Sequence, residues 1–141
     1  MSRTRQSRLF LDSNVFIRAL IVPWGLDRSV LCLCAARRCR LLLATRVHEE
    51  VEENPSITLL EDFIHLIQQA RPEIVPPPAE AHCVAARHLI RHGADVPVLL
   101  SAMASGPDWF LTNNTRHFSP AVARRTGLRI ATPADFFRTL L

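Results

Sequence analysis

Arg8-Leu9-Phe10-Leu11-Asp12-Ser13-Asn14-Val15-Phe16-Ile17 is the stretch that decides the fold. Residues 8–11 form a short apolar run, the pattern of a buried strand, and the run stops at a carboxylate. Ser13–Ile21 then reads as a helix that ends ahead of Pro23. A buried strand passing directly into a helix is the unit from which parallel sheets are wound.

Outward from there the unit recurs. Asp27 is placed to cap a second helix to about Arg38, with Val30, Leu31, Cys34 and Ala35 at helical spacing. Residues 41–44 read as a second strand. Thr45 then caps a helix holding Glu49, Glu50 and Val51, which Asn54-Pro55 ends. Ser56 caps another helix, with Ile57, Leu60, Ile64 and Ile67 on one face. Glu73–Val75 is a third strand, and residues 80–92 are a helix that Gly93 closes. Asp95 opens the next helix, with Val98, Leu99, Ala102 and Met103 as its apolar content and Gly106 as its end. Trp109–Leu111 is a fourth strand and residues 113–118 a loop. Ser119-Pro120 starts a short helix that Gly127 stops, and residues 128–130 are a fifth strand. Thr132-Pro133 opens the last helix, which carries Phe136, Phe137, Leu140 and Leu141; this apolar end either packs on the chain's own sheet or serves assembly. Five short strands interleaved with six or seven helices predict an α/β fold. Right-handed crossovers place helices on both faces of its parallel sheet. Ligands in such folds sit beyond the carboxyl ends of the strands, which directs attention to the residues after the first and fourth.

A chain of 141 residues fits one domain: a mobile basic arm at residues 1–7, then a single domain at 8–141. Hydrophobic residues at 48% and charged residues at 21% exclude wholesale disorder. No apolar run reaches the ~18 residues of a spanning helix, and no signal peptide follows the basic start, so the expected location is the cytoplasm. All 17 basic residues are Arg, against 13 acidic ones, a net +4. Arg forks onto phosphate oxygens, and a compositional bias accounts equally well for the missing Lys. The excess permits a nucleic-acid partner. Cys32, Cys34, Cys39 and Cys83 include no CxxC pair, and read as buried free thiols, with Cys32 and Cys39 sharing one helix face.

Each candidate residue has a plain role and a chemical one. Asp12, with Asn14 two positions on, is either a helix cap or a metal ligand or general base at a strand end. Within His48-Glu49-Glu50-Val51-Glu52-Glu53, at least three carboxylates belong to a solvated face, and one can turn inward. Asp95 is a cap and Asn114 a turn residue when each is taken alone. Asp108 reads simply as a turn residue. Taken together, with the first strand central and the fourth beside it, Asp12, Asp95 and Asn114 converge on one cleft. Converging carboxylates repel and call for a cation, and all-oxygen ligation suits Mg²⁺ or Mn²⁺.

These residues resemble the PIN-domain ribonucleases. The resemblance lies in Leu9-Phe10-Leu11-Asp12-Ser13-Asn14-Val15-Phe16-Ile17, in residues 47–54 around Glu50, in residues 95–112, in the loop of residues 113–118, and in residues 130–137. It runs through nearly the whole chain in order, and the third block is the most specific. It implies a three-layer α/β/α fold with a five-stranded parallel sheet ordered 3-2-1-4-5. It further implies a Mg²⁺- or Mn²⁺-dependent endoribonuclease with Asp12, Glu50 and Asp95 as catalytic and metal-binding acids. The family's fourth acidic position falls on Asn114, a departure that bears on metal affinity. Ser13, Asn14 and Thr112 would steady the acids or orient substrate, and Arg46, Arg91 and Arg116 would meet RNA. A small stand-alone chain of this kind looks most like the VapC-type toxin of a toxin–antitoxin pair, with an antitoxin protein and a homodimer as partners. Two other readings stand beside it. One is a catalytically idle PIN-like module binding RNA or a protein, which Asn114 favours. The other is a nucleotide-binding module, disfavoured by the lack of GxGxxG and GxxxxGK[ST].

Overall fold

The computed structural model describes residues 5–54 and 60–140. Strand β1 (Ser7–Leu11) leads into α1 (Ser13–Ile21) and α2 (Leu26–Ala35). Then come β2 (Cys39–Ala44), α3 (Thr45–Glu53), α4 (Leu60–Ala70) and β3 (Glu73–Val75). The second half holds α5 (Glu80–Ala85), α6 (Val96–Ser105), β4 (Trp109–Leu111), α7 (Pro120–Thr126), β5 (Ile130–Ala131) and α8 (Pro133–Thr139). The strands form one parallel sheet in the order β3-β2-β1-β4-β5. This is the predicted α/β fold and the predicted strand order.

The apolar runs make β1, β2 and β4 the centre of the core. Leu9, Phe10, Leu11, Leu41, Leu42, Phe110 and Leu111 are fully buried, and Phe10 stacks on Phe110 at 5.2 Å between ring centroids. Burying a side chain of this size contributes about 1.5–3 kcal/mol, so the three central strands anchor everything that hangs from their ends. Phe136 packs edge-on against Trp109, which tucks the last helix onto its own sheet, while Leu140 stays exposed.

Several local expectations give way. Gly25, not Asp27, sits at the N-cap of α2, because the Asp27 carboxylate is engaged elsewhere. Ala44 takes the cap position of α3, and Thr45 donates its hydroxyl to the Val75 carbonyl instead. Helix α4 buries Phe63, Leu66 and Ala70, while Ile64 is exposed. Phe63 meets Phe16 edge-on and so sets the rotation of the helix. The expected cap Ser56 and its neighbour Ile57 lie outside the described residues. The helix expected over 80–92 breaks after Ala85 into a 3-10 turn at Arg87–Leu89, and a second 3-10 turn takes Gly93–Asp95. Cys39 lies in β2, not in a helix with Cys32; Cys34 and Cys39 are buried, Cys32 exposed and Cys83 half-buried. Of the expected basic arm, residues 1–4 lie outside the described residues and Ser7 already pairs with Cys39 in the sheet.

Candidate active site

Strand β1 delivers Asp12 to the carboxyl edge of the sheet, where its N–H donates to the Leu111 carbonyl at the end of β4 (3.0 Å). The carboxylate is buried. Oδ1 accepts the Ser13 N–H (2.9 Å), the capping bond that the sequence allows. Oδ2 accepts the Thr112 hydroxyl (2.8 Å) and Nδ2 of Asn14 (3.0 Å). Thr112 is fully buried, and its oxygen in turn receives Nδ2 of Asn14 (3.3 Å) and the Asn114 N–H (3.0 Å). Oδ1 of Asn14 accepts the Asn113 N–H (2.9 Å). Segments about a hundred residues apart in sequence thus hold one carboxylate in a fixed attitude.

Helix α3 turns one of its four acids inward. Glu49, Glu52 and Glu53 are exposed and Glu50 is half-buried. Oε2 of Glu50 accepts the Ser13 hydroxyl (3.0 Å). Ser13 therefore joins the two acids, its N–H serving Asp12 and its hydroxyl serving Glu50. Arg46, one turn earlier on α3, lies 3.6 Å from Glu50 and 3.4 Å from Glu49.

Asp95 and Asn114 behave differently from the sequence expectation. Asp95 makes no capping bond to α6, and its Oδ2 lies 2.7 Å from Nδ1 of His117. The His117 ring stacks on His92 at 3.5 Å between centroids. Oδ1 of Asn114 accepts the His117 N–H (3.3 Å), a bond within its own loop. Among the described residues, no group of three or more His, Cys, Asp or Glu side chains is drawn together closely enough to hold a metal ion. The charge of Asp95 is felt at Asp12, while its Oδ2 is taken by His117 and Oδ1 of Asn114 by its own loop.

The electrostatics still tie the acids together. Burial pushes the Asp12 carboxyl up from 3.8 to about 6. The bonds from Thr112 and Ser13 pull it back, and the negative charges of Glu50 and Asp95 push it higher. Such a field is what a divalent cation offsets. Mg²⁺ is commonly held by one or two carboxylates while keeping several waters, so the hard-oxygen pair Asp12 and Glu50 fits Mg²⁺ or Mn²⁺.

Arg116, in the loop between Asn114 and His117, is exposed, as is Arg91, next to His92 in sequence. Arg46 is occupied by the acids of its own helix. Sequence reasoning assigned no role to three residues that the geometry brings in, His117, His92 and Asn113, and read Asp27 only as a helix cap. Nδ2 of Asn113 donates to buried Asp27 (2.6 Å), which also lies 3.5 Å from Arg18. Separations of 22 positions from Asp95 to His117, and of 86 from Asp27 to Asn113, left no spacing signal to find.

No family model matches the chain, and no curated protein matches it in sequence. Its backbone is similar to that of a chain in the crystal structure of VapBC2 from Rickettsia felis, determined bound to a DNA fragment from their promoter. The TM-score is 0.59 and the identity 18%, over 89% of this chain and 98% of that one. The likeness bears on the fold.

Proposed function

We propose that this chain is a Mg²⁺- or Mn²⁺-dependent endoribonuclease that hydrolyses RNA phosphodiester bonds, and the toxin half of a toxin–antitoxin pair. One observation carries the reading: a buried carboxylate, Asp12, at the end of the central strand, joined through Ser13 to Glu50. The similarity to a VapBC2 chain supports the toxin–antitoxin part. Asp12 and Glu50 would hold the ion, with Asp95 adding negative charge. The ion supplies an activated water and neutralises phosphoryl oxygens.

The chain's own groups orient and bind. Thr112 and Asn14 keep Asp12 from rotating, and Ser13 does the same for Glu50. Arg116 and Arg91 are exposed, and their guanidinium forks would meet phosphate. His117 holds Asp95 at the rim. A homodimer and an antitoxin laid over the cleft belong to the same proposal.

A second reading, an idle module that binds RNA or a protein, draws on one observation: Asn114 spends its carbonyl on its own loop. The test is purified protein with a structured RNA, in Mn²⁺ or in EDTA, beside Asp12→Asn. Cleavage in Mn²⁺ alone, lost in the variant, supports the nuclease. RNA bound but intact in every arm supports the idle module.

A further inference from the structure

The amino-terminal edge of the sheet, opposite the cleft, gathers seven arginines. Because every strand is parallel, the starts of β1, β2, β3 and β5 share this edge. Arg5 and Arg8 stand at β1, Arg37, Arg38 and Arg40 at β2, Arg71 ahead of β3 and Arg129 ahead of β5. Arg8 and Arg40 are direct cross-strand partners. Asp108 pairs with Arg5 (3.2 Å) and Glu73 with Arg8 (3.0 Å). Among the described residues, Arg37, Arg38, Arg71 and Arg129 form no ion pair, and all four are exposed. Like charges gathered without counter-charges raise the local potential and attract polyanions.

The backbone adds a second, independent observation. Four helices of this sheet run into their strands through a left-handed residue: Arg37 (φ 63°) after α2, Arg71 (φ 46°) after α4, Gly106 (φ 59°) after α6 and Gly127 (φ 75°) after α7. Glycine suits that conformation and arginine is strained in it. The two joints on the β2–β3 side thus carry guanidiniums at a conformational cost that the other two avoid. A cation there also offsets the negative helix end, but the Arg71 carbonyl already receives Nη1 of Arg40 (3.2 Å).

The geometry points to this edge as a docking face for the phosphate backbone of an RNA stem. Trp109, at the start of β4 on this edge, is covered by the Arg129 guanidinium at 3.5 Å. The face therefore offers forks for phosphate and no open platform for stacking bases, which suits a duplex better than a single strand. Strand β1 is five residues long, so the face lies roughly 16 Å from the cleft at 3.3 Å per residue. The inference needs no cleavage and stands apart from the nuclease reading.

The test measures anisotropy of a labelled RNA hairpin in EDTA, across salt, with the double variant Arg37→Gly, Arg71→Gly and with Arg116→Ala. Glycine relieves the strain, so the double variant folds at least as well as the parent, checked by its melting curve. At 0.1 M salt its affinity should fall about tenfold per arginine, and its log–log salt slope should flatten by about 1.8, from about 0.9 per phosphate contact. An unchanged slope and affinity would overturn the proposal. So would a loss of affinity for polyglutamate with RNA binding intact, which would make the face a site for an acidic protein segment. If the hairpin binds through this face and no RNA is ever cut in Mn²⁺, the nuclease reading fails and this one stands.

Discussion

At the carboxyl edge of the sheet, polar groups are buried and saturated: Asp12 holds three hydrogen bonds, two of them from residues within two positions and one from Thr112 across the sheet. At the amino edge, most charged groups are exposed, and among the described residues most of the guanidiniums form no ion pair. The first arrangement exists only when β1 and β4 are correctly paired. The second needs only that each strand begin in the right place. Substitution at the carboxyl edge should therefore change chemistry and pH response. Substitution at the amino edge should change salt response and the strain of single joints.

The largest effect expected is on catalysis. Asp12→Asn keeps a capping oxygen for the Ser13 N–H, since Asn caps nearly as well as Asp. It removes the buried charge, and Mn²⁺-dependent cleavage should drop at least about 10³-fold, the upper range for loss of one electrostatic group in an active site. Circular dichroism should show the fold unchanged. A folded variant that cuts RNA at the parent rate would break the distinction between the edges.

Next comes stability against pH, in EDTA. The Asp12 pKa is raised in the folded protein, to about 6 from 3.8. The native state thus binds the proton more tightly than the unfolded chain. Its stabilising contribution is complete below pH 3.8 and lost as pH rises through 6. About two pKa units correspond to roughly 3 kcal/mol. Denaturant unfolding of the parent should lose that much relative to Asp12→Asn between pH 3.5 and pH 7.5. Parallel stability curves for the two proteins would mean that the carboxylate is solvated.

Thr112→Val is a smaller step. It deletes the hydroxyl that donates to Asp12 and receives the Asn114 N–H. Loss of a group that orients a ligand commonly lowers metal affinity about 10–100-fold. Mn²⁺ titration calorimetry should show a drop of that size, with Asn114→Asp tested in the same series. A variant with parent affinity would mean that Ser13 and Asn14 suffice to hold Asp12.

Most strand positions were legible because β1, β2 and β4 are continuous apolar runs, whereas the strand order followed from the family resemblance. Local periodicity suffices for such elements. Asp12 was legible for a related reason, since a carboxylate at a strand end is a local signal; the acid-rich helix showed only that one acid could turn inward, and the resemblance pointed to Glu50. Asp95 was found, but its partner was not, since pairing with His117 depends on how two loops meet. Asp27 misled for the same reason. It stands where a cap belongs, yet long-range bonding to Asn113 outweighs a bond worth about 1 kcal/mol. The break at Ala85–Ala86 had no breaker residue to announce it.

The smallest effect separates the two kinds of joint at the amino edge. Gly106 and Arg37 occupy the same left-handed conformation at equivalent helix ends. Gly106→Ala meets no atom within 4 Å, so its cost is conformational alone, about 1–2 kcal/mol. Arg37→Gly runs the other way. It relieves the same strain but frees the unfolded chain, which takes back about 0.5–1 kcal/mol, leaving a net gain of roughly 0.5–1 kcal/mol. Chemical denaturation resolves a difference of that size when both variants and the parent share one m-value. If Arg37→Gly instead destabilises the protein, the guanidinium is holding the joint. The amino edge would then owe its arginines to stability, and the contrast between the two edges would narrow to one of burial.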